Sequence, residues 1–596
     1  MTVPERIEAL REKMRAHGMT AYLVMTDDFH NSEYVGDYFK CRKYITGFSG
    51  SAGTALISLD GAWLWTDGRY FLQAEDQLKD SGVALMKMGE NGVPTIREFI
   101  ADLLGEGDVL GFDGRTVTAV EGEDYEKLLS SRGASVCADC DLVGEIWEDR
   151  PPMSAKPVWE ISSVYTGLER SAKIRRMRTA MKEQHADYFL LASLDDIAWL
   201  LNLRGDDVTC NPVILSYLVM SQSRVWWYVQ EKAVSEELRR KLEQDGVTIA
   251  PYGDVYKKAA SLPGGRSVLL DKNAVNYALL SRIPQEVTIV EGTNPTLVPK
   301  AAKNPVEVAN IRKAHIRDGV AVTRFIYWLK THVGKEEITE ISAARKLEEF
   351  REKGRNYLGP SFDPIMGYAA HAAIIHYSAT PETNAALQPK GMLLADTGGQ
   401  YLEGTTDITR TIVLGPVTDQ EKEFFTRVLR GHLNLCNAKF PYGCTGRNVD
   451  YLAREPLWEI GEDFNHGTGH GVGHVLNVHE GPQRIHWKYV PGKKEYAFEE
   501  GMVTSDEPGY YLAGKFGIRH ENLMVCTKGP VNGSLQFMQF EPLTMVPFDL
   551  DAVVPEMMSE KERELLNRYH RTVYEKISPY LEGDEKEWLL HATRAI

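Results

Sequence analysis

Nowhere in the 596 residues do apolar side chains run unbroken for the roughly 18 positions that a membrane-spanning helix needs. The opening stretch, MTVPERIEALREKMRAHGM, carries charge throughout and reads as an amphipathic helix, not as a leader with an apolar centre. These absences make the cytoplasm the expected compartment and a membrane an unexpected partner. Cysteine is scarce, with seven scattered residues, an odd number, which excludes a disulfide framework. Cys137 and Cys140 form a CxxC, yet the sequence supplies neither a second pair nor a nearby histidine to complete a zinc site. The remaining cysteines read as reduced and packed. Positive charge is the minority: 68 basic against 84 acidic residues give a net charge of −16. That balance argues against nucleic acid as a partner and leaves acidic groups over for cations. No low-complexity segment occurs.

What remains is an ordinary globular composition, 43% apolar and 26% charged, in a chain long enough for three or four domains. The first half contains an internal echo. AYLVMTDDFHNSEYV leads to YITGFSGSAGTALISLDGAWLWTDGRYF, and DYFLLASLDDIAWLLNLRG leads to NPVILSYLVMSQSRVWWYV. Each follows a charged helix with an apolar strand, an acidic turn and β-rich hairpin segments, the alternation of two related αβ domains. IWEDRPPMSAKP reads as a linker between them, and EGTNPTLVPKAAKNPVEV as a second break before a long helix from about Val306. The expected domains are 1–152, 153–303 and 304–596, and the expected class is α/β (α+β).

In the last block HGTGHGVGHVLNVHEGP, from His466 to Pro482, concentrates four histidines among five glycines. Imidazole suits both metal ligation and proton transfer near neutral pH, but His470 and His474 at i, i+4 decide nothing without partners. Two β-hairpin patterns flank the stretch. In GMLLADTGGQYLEGTTDITRTIVLG, Asp396 ends one apolar run and Asp407 stands near the start of the next. In EEGMVTSDEPGYYLAGKFGIRHENLMVC, Glu507 ends a strand before a Pro-Gly turn and Glu521 lies on the returning strand. Four carboxylates brought together repel one another unless cations neutralise them. Oxygen ligands with one imidazole suit hard or borderline divalent ions, manganese first, with cobalt or zinc as alternatives. Two such ions about 3.5 Å apart would make a hydrolytic, peptidase-like centre.

The order Asp396, Asp407, His470, Glu507 and Glu521, within TTDITRT, GTGHGVG, DEPGYY and GIRHEN, resembles the pita-bread metallopeptidases, which include methionine aminopeptidase, prolidase and aminopeptidase P. TGFSGSAGTALI, WTDGRYFLQAE, DDIAWLLNLRG and NPVILSY extend the resemblance to the two creatinase-type N-terminal domains of the three-domain X-prolyl aminopeptidases. The resemblance implies Asp407 and Glu521 as bridging carboxylates, Asp396 as a ligand of one metal, and His470 with Glu507 as ligands of the other. It also implies His376 and His479 around the scissile bond, His466 lining the site, and Arg69 in TDGRYF contacting substrate. His474 and His520 depart from the family pattern, which has smaller or apolar residues there. His520 is expected to face away from the metals because neighbouring strand residues point to opposite sides.

The resulting expectation is a manganese-dependent aminopeptidase in which a metal-bridged hydroxide attacks the carbonyl before a proline in second position. Glu507 acts as ligand and proton shuttle, while His479 and His376 stabilise the oxyanion and orient the peptide. A homodimer is implied by resemblance alone. The alternatives are a prolidase, which uses the same five ligands on dipeptides, and a metal-free pita-bread binding module.

Overall fold

The computed structural model describes residues 1–490 and 492–596, with Leu72 described by its backbone alone. The chain forms two compact units. One holds Met1–Glu160 with Leu168–Thr296, and the other holds Ile161–Gly167 with Leu297–Ile596.

In the first unit Thr2 caps the Val3–Ala16 helix, its hydroxyl taking the Glu5 amide while Glu5 reaches back. Two six-stranded sheets follow. From edge to edge the first runs Ala84–Lys87, Ala62–Thr66, Thr54–Ser58, Ala21–Val24, Val109–Phe112 and Ser135–Cys137. The second runs Val247–Pro251, Val225–Val229, Ser216–Ser221, Tyr188–Leu191, Ser267–Leu270 and Thr288–Glu291. In both, the successive pairings are parallel, antiparallel, antiparallel, parallel and parallel. The echo in sequence is thus an echo in topology. The copies diverge after the central strand: the stretch that opens with Ser193 goes directly into the helix Leu194–Leu201, while the first copy has a single 3-10 turn, Asp37–Phe39, and then a six-residue helix, Cys41–Thr46. All seven cysteines are free; Cys436 and Cys526 are buried and the other five are only half-buried. Folding also brings His17 Nδ1 to 3.7 Å from the Cys140 sulfur, a neighbour the local sequence does not reveal.

The longest helix of the second unit, Pro305–His332, has a start that obeys simple rules. Asn304 accepts from the Val306 and Glu307 amides, Glu307 closes the capping box, and Pro305 occupies a position that needs no N–H. Asn310 Nδ2 donates to the carbonyls of Val164, at 2.9 Å, and Tyr165, so residues 161–167 belong with this helix. Its apolar face, with Val322, Phe325 and Leu329, packs on Leu393, Ile408 and Ile412 of an antiparallel sheet. That sheet orders Ile365–Tyr368, Met392–Thr397 and Ile408–Val413, with Asp396 opposite Thr409. A second sheet pairs Val503–Asp506 with the long strand Asn522–Asn532, placing Asp506 opposite Asn522. The Gly509–Leu512 and Phe516–Arg519 hairpin is inserted between those partners. No helix among the described residues is long and apolar enough to cross a membrane.

Candidate active site

Each acidic candidate sits where a strand begins or ends. Asp396 is the penultimate residue of Met392–Thr397, and Asp407 immediately precedes Ile408–Val413. Glu507 immediately follows Val503–Asp506, and Glu521 immediately precedes Asn522–Asn532, one residue earlier than a place on the strand itself. The Glu521 amide donates to the Thr409 carbonyl at 3.1 Å, which fastens the second hairpin to the first. Ladder hydrogen bonds therefore fix all four backbones, and the carboxylates project from rigid ends.

The donor atoms of Asp407, His470 and Glu521 lie within 4.8 Å of one another. His470 Nε2 is 3.5 Å from Asp407 Oδ2 and 3.3 Å from Glu507 Oε1. Its Nδ1–H donates to the Gly471 carbonyl at 2.9 Å, leaving Nε2 to face the carboxylates. His479 packs edge-on against His470 with ring centres 4.4 Å apart. The glycines here relieve backbone crowding: a Cβ on Gly469 would stand 2.0 Å from the Ser505 carbonyl, and one on Gly471 would stand 2.1 Å from that of Glu480.

Four residues without an assigned role in the sequence reading complete the arrangement. Arg519 Nη2 donates to Asp396 Oδ2 at 2.5 Å and Nη1 to the Tyr511 hydroxyl at 2.8 Å, and that hydroxyl meets His466 Nε2 at 2.8 Å. Thr409 donates to Glu521 at 2.7 Å, and Ser505 to Glu507 at 3.0 Å. Arg519, Tyr511 and Thr409 lie inside the recognised motifs, but their partners come from distant parts of the chain, so local spacing carries no signal for them; Ser505 stands just before DEPGYY, two residues from its partner Glu507.

Electrostatics tests whether cations fit. Burial, then the charges of Asp396 and Glu507, pushes Asp407 well above the usual carboxylate range. Burial, then Asp407, Glu507 and Asp396, does the same to Glu521. Asp396 is raised by burial in spite of Arg519. Burial also opposes ionisation of Glu507, but the hydrogen bond and charge of His470, with His466 and Arg519, hold it down at about 2. Buried Asp396 Oδ1 and Asp407 Oδ1 have no hydrogen-bond partner. Acceptors left over in a site short of positive charge are the condition that divalent cations relieve, so the residues fit a metal pair.

The other candidates take varied places. His466 is pulled by burial down to about 4 and stays neutral. His376 is exposed, just beyond the Ala369–Ala373 turn, and His474 is buried. His520 turns into the core, Nε2 3.3 Å from the Phe425 carbonyl and the ring against Phe425, facing away from the carboxylates as its alternation with Glu521 suggests. Arg69 belongs to the first unit, where it forms a two-pronged pair with Asp67 at 2.8 and 2.7 Å. His432, Cys436 and Asp506 form a second close group. There His432 Nδ1 lies 3.1 Å from the Asp506 carbonyl and 3.2 Å from its carboxylate, so the group braces the strand end that carries Glu507.

Acidic oxygens gathered around a single imidazole on strand ends place the protein among the metallohydrolases. Sequence profiles narrow the class: "Metallopeptidase family M24" matches residues 309–528, the C-terminal region of peptidase M24 matches 536–596, and the creatinase/prolidase N-terminal domain matches twice, at 6–148 and 149–307. Xaa-Pro aminopeptidase 1 of Dictyostelium discoideum is 38% identical, over 98% of this chain and 94% of its own. A probable Xaa-Pro aminopeptidase P of Laccaria bicolor is 40% identical over 98% and 92%. Among solved structures, the X-prolyl aminopeptidase of Caenorhabditis elegans, described as a cytosolic enzyme with a di-nuclear active site, superposes with a TM-score of 0.93 at 35% identity and covers 100% of both chains. The chain belongs to metallopeptidase family M24, in its X-prolyl aminopeptidase branch.

Proposed function

We propose that this chain is an aminopeptidase that hydrolyses the bond between an N-terminal residue and a proline in second position, using two divalent metal ions. The observation that carries the reading is the convergence of Asp407, His470 and Glu521 in a chain that matches X-prolyl aminopeptidases from end to end. Asp407 and Glu521 would bridge the ions, Asp396 would hold one, and His470 with Glu507 would hold the other, with manganese the favoured metal. Bound there, the ions supply a water of lowered pKa and Lewis acidity toward the scissile carbonyl. Glu507 takes a proton from the attacking water and delivers it to the departing proline nitrogen. His479 donates to the developing oxyanion, His376 orients the peptide, and His466 lines the site, kept neutral by burial. Arg69 keeps a substrate role on the strength of resemblance alone. Because a proline nitrogen has no hydrogen to donate, selection rests on a pocket shaped to the ring.

The same reading gives three domains, 1–152, 153–303 and 304–596, and a cytosolic homodimer. The exposed rings of Tyr451, Trp458 and Trp487, with neighbouring centres 5.8 and 6.1 Å apart, offer the second copy an apolar surface.

A prolidase would use the same ligands but close its pocket around the free carboxylate of a dipeptide. The test is kcat/KM for Arg-Pro-Pro, Arg-Pro and Arg-Ala-Pro at one manganese concentration. Efficient cleavage of the first alone is expected, because contacts beyond proline help position the scissile bond. Preference for Arg-Pro would mean a prolidase, and indifference to proline would mean a broader aminopeptidase. A protein that binds no metal and cleaves none of the three would be a binding module.

A further inference from the structure

Next to His479 stands a carboxylate that the chemistry above does not use. Glu480 is buried, and two buried lysines converge on it: Lys303 hydrogen-bonds Oε1, and Lys300 Nζ lies 3.2 Å from Oε2. Buried lysines are rare, and burying their charge is costly unless it is closely paired and hydrogen-bonded, as both are here. The lysines come from the segment of the second unit that leads into the long Pro305–His332 helix, and that segment is stitched to the catalytic sheet. The Lys303 amide donates to the Gly501 carbonyl at 3.1 Å, Ala302 bridges Met502, and a Cβ on Gly501 would stand 2.1 Å from the Lys303 carbonyl. Val503–Asp506, which leads into Glu507, begins directly after that bridge. On the other side the Glu480 amide donates to the Gly471 carbonyl at 2.8 Å, one residue from His470.

We infer that Lys303, Lys300 and Glu480 are positioning residues, which anchor the His479 loop to the edge of the catalytic sheet and hold the His479 ring against His470. Glu480 fixes the backbone from which His479 projects, and the lysines fix Glu480. The lead-in segment is thereby part of the catalytic machinery. The inference rests on the oxyanion role proposed for His479.

The test is a double-mutant cycle on the full-length, manganese-loaded protein with Arg-Pro-Pro as substrate. Glu480→Gln and Lys303→Met are each measured with His479 present and in the His479→Ala background, alongside metal content and melting temperature. Glu480→Gln is expected to lower kcat on the order of 10- to 100-fold, the effect of a displaced catalytic group, with KM and metal content little changed. In the His479→Ala background the same substitution should cost no more than about twofold, since residues that act through one group are not additive. Lys303→Met, which leaves the Lys300 pair in place, should show the same pattern more weakly and serves if Glu480→Gln does not fold. Equal losses of kcat with and without His479, or a lower melting temperature at unchanged kcat, would overturn the inference. A His479→Ala variant with normal kcat would instead remove the role proposed for His479, and the anchor would then have nothing to position.

Discussion

His470 and His479 touch, yet their surroundings assign them different work. His470 faces Asp407 and Glu507 through Nε2, while His479 reaches the site over the His470 ring. His470→Ala is expected to lose metal, as is Asp407→Asn, whose amide cannot supply two anionic oxygens to two cations. His479→Ala should keep metal and lose about 10²-fold or more in kcat, the usual cost of removing an oxyanion donor. Metal content and turnover measured on the same preparations check this, and equal metal loss in all three variants would contradict it. At this scale the sequence was informative where a motif is distinctive, and that is how Asp396, Asp407, His470, Glu507 and Glu521 were singled out. It was silent on Arg519 and Tyr511, because an arginine or tyrosine acquires its role from partners that only folding supplies.

The paired strands present the four carboxylates, and their apolar β-branched runs made them legible. The inserted Gly509–Leu512 and Phe516–Arg519 hairpin was not, since alternation marks a strand without naming its partner. The same limit applies to the glycines of the histidine stretch. Their spacing does not say that Gly469 and Gly471 admit the Ser505 and Glu480 carbonyls. Gly469→Ala would put a methyl 2.0 Å from a ladder carbonyl, so the strand must move. We expect a destabilisation of about 1–3 kcal/mol or more together with loss of metal, because His470 is the next residue. Thermal unfolding and metal analysis check both; a normal melting temperature with full metal would show that the strands yield more readily than their ladder suggests.

For the whole molecule, metal and stability should be linked through pH. In the metal-free protein Asp407, Glu521 and Asp396 have carboxyls raised by burial and mutual repulsion. A group whose folded pKa lies above its unfolded one contributes stability that is present at low pH and lost as pH rises through the folded value. Glu507, held at about 2, works in the opposite sense, but its contribution is already complete above about pH 4.5. The melting temperature of chelated protein should therefore fall progressively behind that of the manganese-loaded protein as pH rises from about 5. A gap independent of pH would mean that the carboxylates are not what the metal relieves. Assembly is checked by sedimentation: a homodimer has twice the 67.0 kDa chain mass, and a single-chain mass would remove that part of the reading.

The Ile161–Gly167 segment gives this architecture a timetable. It precedes the whole of the second sheet in the chain, yet it belongs with the unit that begins again at Leu297. Val164 leaves the ribosome 146 residues before Asn310, the side chain that holds its carbonyl. At synthesis rates of about 5–20 residues per second, that is a wait of roughly 7–30 s. The N-terminal unit can complete its sheets meanwhile, but this short strap has no docking site until the long helix emerges. The catalytic unit is therefore a discontinuous object in time as well as in sequence, and a nascent chain arrested before Asn304 would display the strap undocked.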